Sequence, residues 1–150
     1  MISASAIYRK IRGKRVLIDT NIIIYLTDCI DPFDGLSRQI FDMVESGETE
    51  AVFSILSIGE VMQGPIRKLR PGIAMDVKEY LTNFPNSRCQ EITYDVLDRV
   101  GMDERIAWEK LRTADSLIIA SGLSNQVDLF ISNDLHFSKA IPSDLLISFR

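Results

Sequence analysis

Val16-Leu17-Ile18-Asp19-Thr20-Asn21 changes character at its midpoint, three apolar residues giving way to three polar ones. A continuous apolar run that does not alternate reads as a strand buried on both faces, the mark of a parallel sheet. The apolar segment Ile22 to Leu26 then reads as the start of a helix that Asp19 can cap. The same form recurs at Ala51-Val52-Phe53 and at Leu129-Phe130-Ile131. A short third strand is expected at 90–93, and Leu145-Leu146-Ile147 with Phe149 reads as an edge strand.

Helical spacing fills the intervals between these runs. Leu36, Ile40 and Val44 predict a helix over 36–46, and Val77, Tyr80, Leu81 and Phe84 predict another that ends near Pro85. From Ser54, the residues Ile58, Val61, Met62, Ile66 and Leu69 predict a helix that Gly64-Pro65 should kink or break. One long helix is expected over 95–111, with Trp108 on its apolar face, and a buried one over 117–123. Four to five strands separated by helices predict an α/β, three-layer fold with a mostly parallel central sheet flanked by helices.

At 150 residues the chain has the length of one domain. The reading divides it into a basic N-terminal extension, 1–15, and a single domain, 16–150. Arg9, Lys10, Arg12, Lys14 and Arg15 in the extension read as a solvated basic tail, weighed against a cluster that contacts phosphates. Lys and Arg total 17 against 21 Asp and Glu, a net charge of -4 that argues against a surface wholly given to nucleic acid. A single histidine, His136, excludes multi-histidine metal sites and reads as a loop residue. Cys29 and Cys89 form no C-x-x-C motif and read as reduced thiols. No apolar run reaches the ~20 residues of a transmembrane helix, so a cytoplasmic protein without membrane contact is expected.

In an open parallel sheet, ligands bind beyond the carboxyl ends of the strands. Asp19 follows the first strand, and Asn133-Asp134 follows the fourth after Ser132. Asp115 stands just before the buried helix, where it reads as an N-cap. Glu60 lies on the helix after the second strand, between apolar neighbours where an unpaired buried carboxylate would cost several kcal/mol. Each acid taken singly has a structural explanation, in capping or turn chemistry. Taken together, the four fit one edge of the sheet. Gathered carboxylates repel one another, a conflict that a divalent cation removes. Oxygen ligands without His or Cys favour Mg²⁺ or Mn²⁺ over Zn²⁺, and hydrolysis of phosphodiesters is the chemistry such a site suits.

Four segments in this order resemble the PIN-domain family, most closely its VapC-type toxin ribonucleases: Leu17-Ile18-Asp19-Thr20-Asn21, Ser57-Ile58-Gly59-Glu60-Val61, Ala114-Asp115-Ser116-Leu117-Ile118-Ile119-Ala120 and Phe130-Ile131-Ser132-Asn133-Asp134. The resemblance implies a PIN-like, Rossmann-like fold and a metal-dependent endoribonuclease that cuts single-stranded RNA, leaving a 5′-phosphate and a 3′-hydroxyl. It implies that Asp19, Glu60, Asp115 and Asp134 hold Mg²⁺ or Mn²⁺, with Asn21 and Ser132 as supporting polar residues. It further implies a homodimer silenced by an antitoxin protein, as the toxin of a type II toxin-antitoxin pair. Arg67, Lys68 and Arg70 are candidate RNA contacts, weighed against a solvated helix face. Ser132 stands where the family more often has Thr, which keeps the hydroxyl. A stand-alone RNA-processing nuclease and a catalytically inactive RNA- or protein-binding module remain as alternatives. A phosphatase with Asp19 as nucleophile is disfavoured, because position 21 is Asn where such enzymes commonly carry a second acid. The four acids account formally for the whole net charge of -4, the rest of the chain being balanced.

Overall fold

Strands β1 (Arg15–Ile18), β2 (Glu50–Ser54), β3 (Ser87–Gln90), β4 (Leu129–Ile131) and β5 (Leu146–Ile147) form one sheet in the order β3-β2-β1-β4-β5. The computed structural model describes residues 1–150. Every pairing is parallel, with Leu17 in register with Val52 on one side and Phe130 on the other. β1 lies in the middle because its apolar run is buried on both faces: Val16 and Ile18 enter the larger core and Leu17 the smaller one. Helices α1 (Ala4–Ile11), α2 (Thr20–Thr27) and α3 (Asp34–Glu45) bury residues in the larger core with α4 (Ile55–Arg67) and α5 (Pro71–Thr82). The smaller core is closed by α7 (Thr113–Ser124) and α8 (Leu135–Ala140), and α6 (Tyr94–Arg99) packs against α7. The three-layer α/β architecture expected from the apolar runs is the one observed. No helix is long and apolar enough to cross a membrane.

Several boundaries differ from expectation, each for a local reason. The basic segment before β1 is no solvated tail: Ser3 caps α1 by accepting from the Ala6 N–H at 3.2 Å, and Ile7 and Ile11 are fully buried in the larger core. The helix expected over 95–111 stops at Arg99, because Val100 leaves the helical conformation and Gly101 adopts φ +84°. Trp108 therefore lies on a separate tight turn, Trp108–Lys110, with its indole N–H donating to the Asp103 carbonyl at 2.9 Å.

α4 runs through Gly64-Pro65 without breaking, since the Lys68 N–H still reaches the Gly64 carbonyl at 3.2 Å. The chain turns four residues after Pro65, where Leu69 takes φ +58° and Pro71 opens α5. β3 lies a few residues earlier than expected, at Ser87–Gln90.

Candidate active site

Parallel pairing brings the ends of β1 and β4 side by side, at the point where the connection after β1 runs toward one edge of the sheet and the connection after β4 toward the other. Asp19 follows directly from the first of these ends, and Asp134 follows the second after Ser132 and Asn133. Asp19 is the N-cap of α2, accepting from the Thr20 N–H at 2.7 Å, and it is only 4% exposed. Its second oxygen accepts from the Ser132 hydroxyl at 2.6 Å and from Asn21 Nδ2 at 3.1 Å. Ser132 Oγ in turn accepts from the Asp134 N–H at 3.0 Å, and Asn21 Oδ1 from the Asn133 N–H at 3.1 Å. Asn21 and Ser132 thus pin the ends of the two strands together around Asp19.

Burial is the main force on the Asp19 carboxyl, raising it from the usual 3.8 to about 6. The bonds from Ser132 and Thr20 oppose that rise, while the neighbouring charges of Glu60 and Asp134 add to it. No cationic side chain pairs with Asp19.

Glu60, on α4, receives a hydrogen bond from Thr20 Oγ1 at 3.3 Å. Desolvation raises its carboxyl as well, followed by the charge of Asp115. The residue as a whole is exposed, so the expected conflict between a buried acid and apolar neighbours does not arise. Ile58 and Val61 turn into the core and Glu60 turns out.

Asp115 occupies the third position of α7, three residues further in than the N-cap, Arg112, and is 4% exposed. It accepts from the Arg112 N–H at 3.2 Å. Arg112, which no sequence argument singled out, grips Asp115 through Nε at 2.8 Å and Nη2 at 3.1 Å. The same Nη2 reaches Asp134 at 3.1 Å.

Asp134 caps α8 by accepting from the His136 N–H at 2.6 Å, and the His136 ring stands 3.0 Å away. His136 is therefore part of a helix and touches the site, where a loop position was expected. Burial pulls the Asp134 carboxyl up, but the two contacts from His136 and the charge of Arg112 outweigh it and hold the group below the usual carboxylate range.

Four acids, Asn21 and Ser132 are accordingly brought to one edge, and Thr20, Arg112 and His136 join them. An arginine three residues before Asp115 was the one signal available for Arg112, being the i,i+3 spacing of a helical ion pair. Arg67, Lys68 and Arg70 stand apart, exposed at the end of α4 and in the turn that follows. Arg67 lies about 10 Å along the helix from Glu60 by the ordinary rise per residue. With Arg112 seated between Asp115 and Asp134, no three acidic, histidine or cysteine side chains are disposed to hold a metal ion.

A family model described as PIN domain matches residues 16–141. The chain belongs to the PIN-domain family. Solved structures with the same fold support the assignment. This PIN domain superposes on a chain of VapBC2 from Rickettsia felis bound to a DNA fragment from its promoter, with TM-score 0.64, 13% identity and coverage of 89% of this chain and 98% of that one. DNA-bound VapBC from Salmonella typhimurium gives 0.63 at 17% identity, covering 91% and 99%. VapC20 of Mycobacterium tuberculosis, a Sarcin-Ricin loop cleaving toxin, gives 0.61 at 18% identity, covering 83% and 93%. No curated protein matches this PIN domain in sequence.

Proposed function

We propose that this PIN domain is a metal-dependent endoribonuclease that hydrolyses single-stranded RNA, and that it is the toxin of a type II toxin-antitoxin pair. The observation that carries the reading is Asp19, a carboxylate 4% exposed, held by three hydrogen bonds that favour its ionised form and lacking a cation to pair with. A buried charge in that state calls for a positive partner. Asp19, Glu60, Asp115 and Asp134 offer only hard oxygen donors, which fit Mg²⁺ or Mn²⁺. A bound divalent cation would supply a water of lowered pKa and neutralise charge on the phosphate under attack.

The chain's own residues divide the remaining work. Ser132 and Asn21 fix the orientation of Asp19, and Thr20 holds Glu60 toward it. Arg112 would have to release Asp115 and Asp134 for them to act as ligands. Its guanidinium, 59% exposed along the side chain, is then free to face the RNA backbone. Arg67, Lys68 and Arg70 would meet the same strand further along α4. The products would carry a 5′-phosphate and a 3′-hydroxyl.

The inactive binding module draws on one observation, that Arg112 already neutralises two of the four acids. Titration with Mn²⁺ and incubation with a long single-stranded RNA separate the readings. The wild type should bind the ion and cut the RNA, and Asp19→Asn should do neither. A wild type freed of co-purifying protein that neither binds Mn²⁺ nor cleaves would exclude the enzyme. The VapBC likenesses support an antitoxin partner as part of the same proposal, and a homodimer of this chain is proposed with it.

A further inference from the structure

The cations of this chain are unevenly placed. Residues 1–15 carry five of the 17 and no carboxylate, while the other 135 residues hold twelve cations and all 21 acids. α1 lies outside the segment that matches the family model, yet it is a docked element of the fold. Its start is tied to the edge that carries the acids: the Ile2 N–H donates to the Phe149 carbonyl at 3.0 Å, and the Phe149 N–H donates to Asn133 Oδ1 at 2.7 Å, between Ser132 and Asp134. From there α1 descends toward the opposite edge, where β1 begins.

Ile7 and Ile11 face the core, so at 3.6 residues per turn Ser5, Arg9 and Arg12 share the outward side, with Tyr8 on one flank of it and Lys10 on the other. Arg9, Lys10, Arg12 and Lys14 are all exposed and none has a carboxylate partner. Around the start of β1, Glu50 and Asp128 are engaged with Arg15, the first through its guanidinium and the second through its backbone N–H, while Glu48, whose carbonyl accepts from the Gly13 N–H at 2.7 Å, forms no ion pair with any of the four. Tyr8 is 36% exposed, and the Arg12 guanidinium lies 5.6 Å from its ring centre.

We propose that the outward side of α1 is a second RNA-binding surface, on which a base stacks against Tyr8 while Arg9, Arg12 and the bordering Lys10 pair with phosphates. The choice of RNA over another polyanion rests on the ribonuclease reading. Stacking on an aromatic side chain beside arginines is the general means by which proteins hold single strands without regard to sequence. A lipid surface fits worse, since a membrane-bound helix turns its aliphatic side chains outward and α1 spends Ile7 and Ile11 on the core. The position of α1 lets one strand occupy the acids and then run down the helix, so a long RNA gains contacts that a short one lacks.

The test uses the full chain carrying Asp19→Asn in EDTA, which prevents cleavage, and reads fluorescence anisotropy of a labelled single-stranded RNA of about 16 nucleotides. Arg9→Gln with Arg12→Gln should weaken binding about tenfold and lower the slope of log affinity against log salt by about 1.4, at roughly 0.7 per phosphate contact. Tyr8→Ala should also weaken it about tenfold, as expected for loss of one stacked base. Unchanged melting temperatures would show that the fold is intact. With Asp19 restored, both variants should cut an RNA of about 4 nucleotides at the wild-type rate and lose efficiency only on long RNA. Unchanged affinity and salt slope in the arginine variant would overturn the proposal. So would retained RNA binding accompanied by loss of binding to phosphatidylserine vesicles, which would assign the helix to a membrane surface. If no form of the protein cleaves RNA, the nuclease reading fails while the anisotropy still decides the role of α1.

Discussion

Burial lifts the Asp19 carboxyl to about 6, although Ser132, Asn21 and the Thr20 N–H are all arranged to favour its charge. An unfolded chain would release this proton near 3.8, so between about 4 and 6 the folded form binds the additional proton and stability falls as pH rises. The deficit is complete at pH 7 and amounts to at most about 3 kcal/mol for a shift of two units. Asp19→Asn removes the charge at the cost of one acceptor oxygen. In EDTA at pH 7.5 it should therefore melt higher than wild type, by roughly 2–12 °C for a gain of 1–3 kcal/mol. The advantage should vanish at pH 4, and Mn²⁺ should narrow it at pH 7.5 by stabilising only the wild type. Equal melting temperatures at every pH would contradict the assignment of strain to Asp19. The positions of Asp19 and Asp134 were legible because each lies within three residues of the end of a buried apolar strand. Arg112 was not, because which acids a long exposed side chain reaches depends on how β4 and α7 come together in space.

Gly122 and the Ile7/Ile11 pair govern how helices meet the sheet. A Cβ at Gly122 would stand 2.9 Å from Phe130 Cε1, 3.1 Å from Val127 and 3.2 Å from Leu17, so α7 approaches the sheet as closely as glycine permits. Gly122→Ala should cost about 1–3 kcal/mol by urea denaturation, through overpacking. Because α7 carries Asp115, the substitution should also weaken Mn²⁺ binding. For α1, Ile11→Ala should cost about 2–5 kcal/mol, the range for a buried aliphatic deletion, whereas a solvated tail would show no change. Apolar runs announced β1, β2 and β4, and offered β5 as an edge strand of a sheet of four to five. The N-terminal helix escaped because five cations masked a two-residue apolar stripe, one turn of periodicity being too little to register against them. The expected long helix over 95–111 failed for the converse reason: apolar spacing continued across Gly101, and a single positive φ overrode it.

For the whole molecule, the proposed homodimer predicts a light-scattering mass of twice 17.0 kDa. Ile66, Leu69 at 88% exposure, Ile73 and Met75 gather around the turn from α4 to α5 and form the apolar surface a second copy would cover. Leu69→Glu should return the chain to monomer mass without lowering its melting temperature at high dilution. Fold class and the edge that carries the acids were legible at this scale, since both follow from strand order and polarity. Assembly was not, because nothing in a helix's own sequence distinguishes a face that meets a partner from one that meets water. The acids of that edge enter the chain between positions 19 and 134, and they converge only once β4 has paired with β1. A growing polypeptide therefore carries no assembled site while most of it is being made, and on the proposed nuclease reading a translating cell is shielded from each copy until its sheet closes.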